Sequence, residues 1–68
     1  MKLSQRGEYA LRALLVLGMN HGSGVVRIRD IAQQQNIPRR FLEQILNDLK
    51  SAGFVLSKRG MAGGYRLQ

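Results

Sequence analysis

Hydrophobic residues recur with a helical period over the first third of the chain. Ser4 is a suitable N-cap, and the pattern after it predicts a helix that runs to about Asn20 or His21. The glycines of "HGSG" (21–24) then end this helix. The helix is apolar on nearly all sides, which is typical of a helix that is covered on two faces.

Two apolar strips share this first helix. The first strip, which we expect to face the core, contains Leu3, Ala10, Leu14 and Leu17, with Leu11 and Gly18 beside it. The second strip contains Tyr9, Ala13 and Val16. Because a domain of this size has few elements to cover both strips, we expect the second one to lack a partner within the chain.

The rest of the pattern alternates short strands with short helices. It predicts a strand over 25–28 ("VVRI"), a helix over 29–35, a turn over 36–38 ("NIP"), a helix to about 52, and strands over 54–58 and 64–67. Asn36 tolerates the left-handed backbone of the turn, Pro38 suits the first helical position, and Gly53 suits the helix end.

This order of elements is typical of a mainly α fold with a small β-hairpin, the winged helix-turn-helix. We expect one domain over residues 1–68, with the helix-turn-helix at 28–52 and the wing at 54–67. Ala32 is the small residue that two closely packed helices need at their contact. The apolar residues that the two helices are expected to share are Ile31, Ile37, Leu42 and Ile45.

Charge narrows the class of function. Eleven Lys and Arg against four Asp and Glu give a net charge of +7, which favours a polyanionic partner, nucleic acid before a membrane surface. With no cysteine and a single histidine, His21, the sequence offers no metal site, and it contains no nucleophile–base or carboxylate pair for catalysis. No apolar stretch is long enough to span a membrane, and we expect a cytoplasmic protein that is not an enzyme.

The third predicted helix carries polar side chains on the face opposite its apolar one. Directly opposite the apolar face lie Arg40, Gln44, Asn47 and Ser51, with Glu43 alongside them and Arg39 nearer the boundary. Arg pairs with guanine, Gln with adenine, and Glu accepts from cytosine, so this face suits base readout in the major groove. An ordinary solvated helix face would have a similar composition, because Arg, Glu and Gln are good helix formers.

The predicted wing is rich in glycine and poor in side chains. Lys58 and Arg59 lie at the start of its loop, after Ser57, and these three residues are our candidate wing contacts to DNA. A slim cationic tip can follow the phosphate backbone or enter the minor groove, where arginine is favoured. A winged-helix module that binds proteins instead of DNA remains the alternative, although such modules present apolar anchors on the third helix.

Three stretches resemble the DNA-binding domain of Rrf2-type bacterial transcription regulators: "LSQRGEYALRALLVL", "IRDIAQQQNIPRRFLEQILNDLKSAGF" and "SKRGMAGGYRL". The most specific part is "FLEQIL" followed by "L..AG.V.S.RG..GGY.L". The resemblance implies a cytoplasmic repressor or activator that binds palindromic double-stranded promoter DNA as a homodimer. It also implies a major-groove contact by Glu43 and a minor-groove contact by Arg59.

The chain departs from the family in two ways. Family members are about twice as long, with a C-terminal helix that pairs two subunits, and many hold an iron–sulfur cluster on three later cysteines. Neither feature is present in these residues, so we expect no cofactor here and no cluster for Glu8 to complete. The chain is then either the DNA-binding portion of a longer protein or a shortened paralogue. The second strip of the first helix favours the longer protein.

Overall fold

Three helices and an antiparallel hairpin make up the structure, a computed structural model that describes residues 4–61 and 63–68. The elements are α1 (Gln5–Met19), α2 (Ile28–Gln35), α3 (Arg39–Ser51), β1 (Val55–Lys58) and β2 (Gly64–Leu67). This order and the hairpin confirm the predicted winged helix-turn-helix class.

The helix ends follow the predicted signals. The Ser4 hydroxyl accepts a hydrogen bond from the Gly7 amide at 3.0 Å and so caps α1. Asn36 is left-handed after α2, with φ 54°, and Gly53 has φ 88° after α3. Pro38 is the N-cap of α3, and α3 itself begins one residue later than predicted, at Arg39. The tight turn between α2 and α3 therefore depends on Asn36.

The hairpin pairs Val55 with Leu67 at its base and Lys58 with Gly64 near its tip. The predicted strand over 25–28 was wrong, because only Val26 forms a bridge, with Tyr65 of β2. Their two backbone hydrogen bonds are each 2.8 Å long. The reason for the difference is that α2 begins at Ile28, two residues after the bridge, and so leaves no room for a longer strand.

One hydrophobic cluster holds the elements together. Its buried members are Ala13, Val16, Leu17, Ile31, Ile37, Leu42, Leu46 and Val55, so every helix, the turn and β1 contribute. Ile45 is also buried on the same side of α3. The four apolar residues expected to join α2 to α3 are therefore all buried, and Ala32 packs against the cluster.

The expectation that the second strip of α1 is uncovered was wrong. Ala13 and Val16 are buried in the core and Tyr9 packs against it. The first strip also meets the core, through the buried Leu17 and through Leu14, whereas Leu11 beside it is 48% exposed. The two strips are therefore parts of one core face, because both lie against the same hydrophobic cluster. Leu3 lies outside the described residues.

The uncovered apolar surface of α1 contains Leu11, Leu15 and Met19, which we call the outer strip. Successive members are four residues apart, so they follow one face of the helix. Leu15 is 57% exposed and Met19 86%. No helix within residues 4–61 and 63–68 is long and apolar enough to cross a membrane.

The close contact between Gly64 and Val26 predicts that a single added methyl group at position 64 lowers the stability of the domain. A β-carbon at Gly64 would lie 2.5 Å from the carbonyl oxygen of Val26, which is backbone and cannot turn aside. We expect Gly64→Ala to destabilise the domain by about 1–3 kcal/mol through this overlap. The measurement is urea unfolding followed by circular dichroism.

Gly18→Ala is the matched control. The added methyl would lie 3.8 Å from Leu67 Cδ1, an ordinary contact, and Gly18 is inside α1. The same measurement should show stabilisation by roughly 0.5–1 kcal/mol, because alanine loses less backbone entropy in a helix. Equal stabilities for the two variants would contradict the close approach of Val26 to β2.

Candidate nucleic-acid interface

Helix α3 buries one face and presents a polar one. Leu42, Ile45 and Leu46 point into the protein, which fixes the rotation of the helix. Its first turn contains Arg39 and Arg40 and no acidic residue. Because the N-terminus of a helix is the positive end of its dipole, two cations there destabilise the helix and concentrate positive potential. This arrangement attracts anions to the start of α3.

Neighbouring side chains orient the predicted contact residues at this end. Arg39 Nε lies 3.5 Å from Glu43 Oε1, an ion pair across one helical turn. The Arg40 guanidinium lies over the ring of Phe41, 5.0 Å from its centroid. Phe41 is 40% exposed and therefore forms part of the same surface. The start of α3 thus combines a paired carboxylate with a stacked cation and ring.

A groove lies between α3 and the wing, and we call it the cationic groove. Its cationic lining residues are Arg27, Arg29, Arg39, Lys50, Lys58 and Arg59. Asn47 and Ser57 add polar groups, and no acidic side chain of the described residues lines it. Five of the eight predicted site residues meet here: Arg39, Asn47, Ser57, Lys58 and Arg59.

Gln44 lies on the other side of α3. It lines a smaller cavity with Tyr9, Phe41 and Arg6, at the start of α1. Arg6 also forms an ion pair with Asp48 of α3 and so links the two helices. The predicted site therefore extends over both sides of α3, with the wing on one side and the start of α1 on the other.

All four acidic residues of the chain have arginine partners. The pairs are Arg12–Glu8 at 2.6 Å, Arg29–Asp30 at 3.9 Å, Arg39–Glu43 at 3.5 Å, and Arg6–Asp48. Four cations of the cationic groove have no acidic partner among residues 4–61 and 63–68: Arg27, Lys50, Lys58 and Arg59. Most of the unpaired positive charge of the described residues therefore lies where α3 and the wing meet, with Arg40 and Arg66 as the exceptions.

The wing is slim because its loop is a tight turn in which backbone atoms lie close to one another. The Gly63 amide donates to the Gly60 carbonyl at 3.0 Å, and Gly60 has φ 109°, which favours glycine. A β-carbon at Gly63 would lie 2.3 Å from the carbonyl oxygen of Lys58. The Met61 side chain is 95% exposed. We call residues 60–63 the wing tip, of which Ala62 lies outside the described residues.

Sequence reasoning missed three cations of the groove: Arg27, Arg29 and Lys50. Arg27 and Arg29 flank Ile28 at the start of α2. This pair of cations around an apolar residue was the signal in the sequence that could have indicated a further cationic site. That signal pointed to the groove only once the Val26–Tyr65 bridge placed this segment against the wing. Lys50 lies one turn after Asn47 and could have been included with it.

The residues of this chain do not fit an iron–sulfur cluster, whose usual ligands are cysteine thiolates. There is no cysteine among the 68 residues. Within residues 4–61 and 63–68 no group of three His, Cys, Asp or Glu side chains is arranged to hold a metal ion. The Glu8 carboxylate instead lies 2.6 Å from the Arg12 guanidinium.

Known proteins show the same sequence pattern over nearly the whole chain. CymR of Bacillus subtilis, an HTH-type transcriptional regulator, is 42% identical over 67 residues, which are 98% of this chain and 49% of CymR. IscR of Aliivibrio salmonicida, also an HTH-type transcriptional regulator, is 43% identical over 67 residues, 98% of this chain and 40% of IscR. The chain thus spans half or less of the length of these relatives.

Solved structures agree with the sequence comparison. The structure of CymR, the global cysteine regulator of B. subtilis, matches this one with a TM-score of 0.92 at 40% sequence identity. The match covers 98% of this chain and 52% of the CymR chain. The structure of T. potens IscR has a TM-score of 0.91 at 39% identity, with 98% and 49% covered. The sequence model of the Rrf2 family, described as an iron-dependent transcriptional regulator, matches residues 3–68. The chain therefore belongs to the Rrf2 family.

Proposed function

We propose that this chain is a sequence-specific, double-stranded DNA-binding domain of a bacterial transcriptional regulator that acts in the cytoplasm by binding and not by catalysis. The observation that carries the proposal is the cationic groove, which joins the polar face of α3 to the wing. Its unpaired cations suit a phosphate backbone, and the polar side chains beside them suit base edges. The transcriptional regulators that match the chain support this reading.

In the proposed complex, α3 enters the major groove by its N-terminal half. The major groove is about 12 Å wide and admits one helix. Arg40 and Gln44 would read base edges, and Glu43, held by Arg39, would accept from cytosine. The exposed edge of Phe41 is suited to a thymine methyl group. Support comes from the exposure of these side chains on the N-terminal half of α3, where Arg39 and Arg40 add to the positive end of the helix dipole.

The wing would lie along the adjacent minor groove, which is only about 6 Å wide. The tip fits such a space because glycines replace side chains at two of its three described positions. Arg59, at the start of the tip, would enter the groove, and Lys58 would contact phosphate. Ser57, opposite Tyr65 in the hairpin, would add a hydroxyl donor to the backbone contacts.

A protein-binding winged helix is the competing function, and the surface of α3 argues against it. Such a module needs apolar anchors on this face. Of the large apolar residues of α3, Phe41 is the one that is exposed, and Arg40 covers its ring at 5.0 Å. The regulators matched over 98% of the chain also favour DNA as the partner.

Loss of a base contact should lower the preference of the protein for its operator over other DNA sequences. Arg40→Ala and Gln44→Ala should each reduce the preference for an operator over random duplex by roughly 1–3 kcal/mol for a true base contact. The operator is first selected from a randomised duplex pool, and affinity is measured by fluorescence anisotropy on both duplexes. Gln33→Ala, exposed on α2 and outside the groove, is the control. Equal losses on both duplexes would mark phosphate contacts instead.

The two wing cations should respond differently to salt and to sequence. Lys58→Ala should lower the slope of log affinity against log salt by about one, with little change in specificity. Arg59→Ala should weaken operators flanked by A·T steps more than those flanked by G·C steps, because the narrower groove has the stronger negative potential. Titrations on operators that differ only in the flanks measure both. An equal cost of Arg59→Ala on the two flanks would exclude the minor-groove role.

We further propose that the regulator binds its operator as a homodimer. The outer strip of α1, Leu11, Leu15 and Met19, is apolar and uncovered in this domain. The matched relatives are about twice as long, which allows a further helix to pair the subunits and pack on this strip. Two subunits related by symmetry would then read the two halves of a palindrome.

The pairing proposal predicts a selective effect at Leu15. Its side chain is 57% exposed, so Leu15→Gln should leave the fold unchanged. In a regulator that includes the further helix, the variant should lose affinity for a palindromic operator and keep its affinity for an isolated half-site, since only the palindrome gains from pairing. Anisotropy titrations of that regulator on the two duplexes test this. No preference of its wild type for the palindrome, or equal losses on both duplexes, would contradict a pairing helix that packs on the outer strip.

A further inference from the structure

The base of the wing is attached to the segment before α2. Val26 and Tyr65 exchange two backbone hydrogen bonds of 2.8 Å, which add Val26 to the outer edge of β2. Gly64 allows this approach, because a β-carbon there would lie 2.5 Å from the Val26 carbonyl oxygen. Val26 is two residues before the start of α2. A single residue, Arg27, therefore lies between the wing attachment and the helix-turn-helix.

Arg27 also reaches the other end of the wing. Its Nη2 donates a hydrogen bond of 2.9 Å to the carbonyl oxygen of Met61, 34 residues later in the chain. In the described part of the chain, this is the hydrogen bond that joins the wing tip to a residue outside the wing. The Met61 side chain is almost fully exposed and does not anchor the tip by packing. Beyond the turn's own hydrogen bond from Gly63 to Gly60, the Arg27 guanidinium is thus the group that contacts the tip from outside the wing.

Position 27 also departs from what a helix start needs. Arg27 is the N-cap of α2, with φ −71° and ψ 145°, and makes no side-chain capping hydrogen bond. Ser, Thr, Asp or Asn at this position would stabilise the helix by roughly 1 kcal/mol. With such a residue at position 27, Asp30 three residues later could accept a hydrogen bond from the backbone amide of residue 27, as the acidic residue of a capping box does. An arginine here gives up local stability and points its side chain to the wing tip.

We propose that Arg27 is a positioning residue for the wing, which holds the tip, and with it Arg59, at a fixed place relative to α3. An arginine suits this role because its planar fork has five donors, so that one N–H can hold Met61 while others face the cationic groove. Arg59 and Gly60 directly precede Met61, so the position of the Met61 carbonyl limits where the Arg59 side chain can reach. This inference rests on the proposed DNA-binding function for its consequence but not for its geometry.

The first test uses the protein without DNA. Arg27→Gln should lower the ¹⁵N order parameters of Gly60, Met61 and Gly63 from values near 0.85 toward the flexible range below about 0.6. Arg29→Gln is the matched control, since Arg29 carries the same charge and lines the same groove without a hydrogen bond to the tip. Unchanged order parameters in the Arg27 variant would overturn the proposal, whatever the protein binds.

The second test separates positioning from a phosphate contact. The cost of Arg59→Ala on an A·T-flanked operator should fall by roughly threefold or more in the Arg27→Gln background, and stay the same in the Arg29→Gln background. If Arg27 only contacted phosphate, its loss would reduce the salt slope by about one and leave the effect of Arg59 unchanged. That result would overturn the proposal. Failure of every variant and the wild type to bind DNA would count against the proposed function alone.

The third test excludes a general loss of stability. Arg27→Ser should introduce a capping side chain and leave the urea midpoint unchanged or higher. The same variant should free the wing tip, with order parameters as low as those of Arg27→Gln. A variant that is both less stable and unchanged at the tip would assign Arg27 to the stability of α2 and overturn its role in the wing.

Discussion

The packing of α3 into a single small hydrophobic cluster constrains the whole domain. A chain of this length buries only roughly 60% of the surface that it exposes when unfolded, so it cannot build a second core. Leu42 and Leu46 are fully buried and set the rotation of α3. A turn of the helix by one residue, about 100°, would bury charged side chains instead. The polar face that suits DNA is therefore a consequence of the apolar face that holds the fold.

The distribution of charge adds little to the stability of the domain, and its main effect is on how the domain is oriented toward a polyanion. All four ion pairs involve side chains that are at least 40% exposed, and such pairs contribute about 0–1 kcal/mol each. Their effect is to neutralise arginines on α1, α2 and the first turn of α3. Four of the cations left without an acidic partner in the described chain lie along the cationic groove, and Arg40 and Arg66 lie outside it. The field of the domain thus has one positive side, which favours a single orientation against a polyanion.

The fold was predictable from sequence because its signals are local, whereas the errors concern contacts between distant segments. The side chain of Ser4 suits a helix cap, and Asn36 and Gly53 tolerate a positive φ. All three residues occur at helix ends, as these properties predict. The second strip of α1 was wrongly expected to be uncovered, because the sequence does not show that α2 and α3 together cover both strips. The pairing of Val26 with Tyr65 and the bond from Arg27 to Met61 join residues more than 30 positions apart. For the same reason, the sequence predicted five residues of the groove and missed Arg27 and Arg29, which the Val26–Tyr65 bridge places beside the wing.

Several local rules are broken where α3, the start of α2 and the wing meet. Arg39 and Arg40 occupy the positive end of a helix dipole, Arg27 stands where a capping side chain would be more stable, and the wing is built from flexible glycines. By contrast, α1 has a proper cap and a continuous buried face. Departures of this kind are expected at functional sites, where stability is given up for another property. Substitutions that restored the local rules at these positions would stabilise the domain and remove the groups that shape its cationic face.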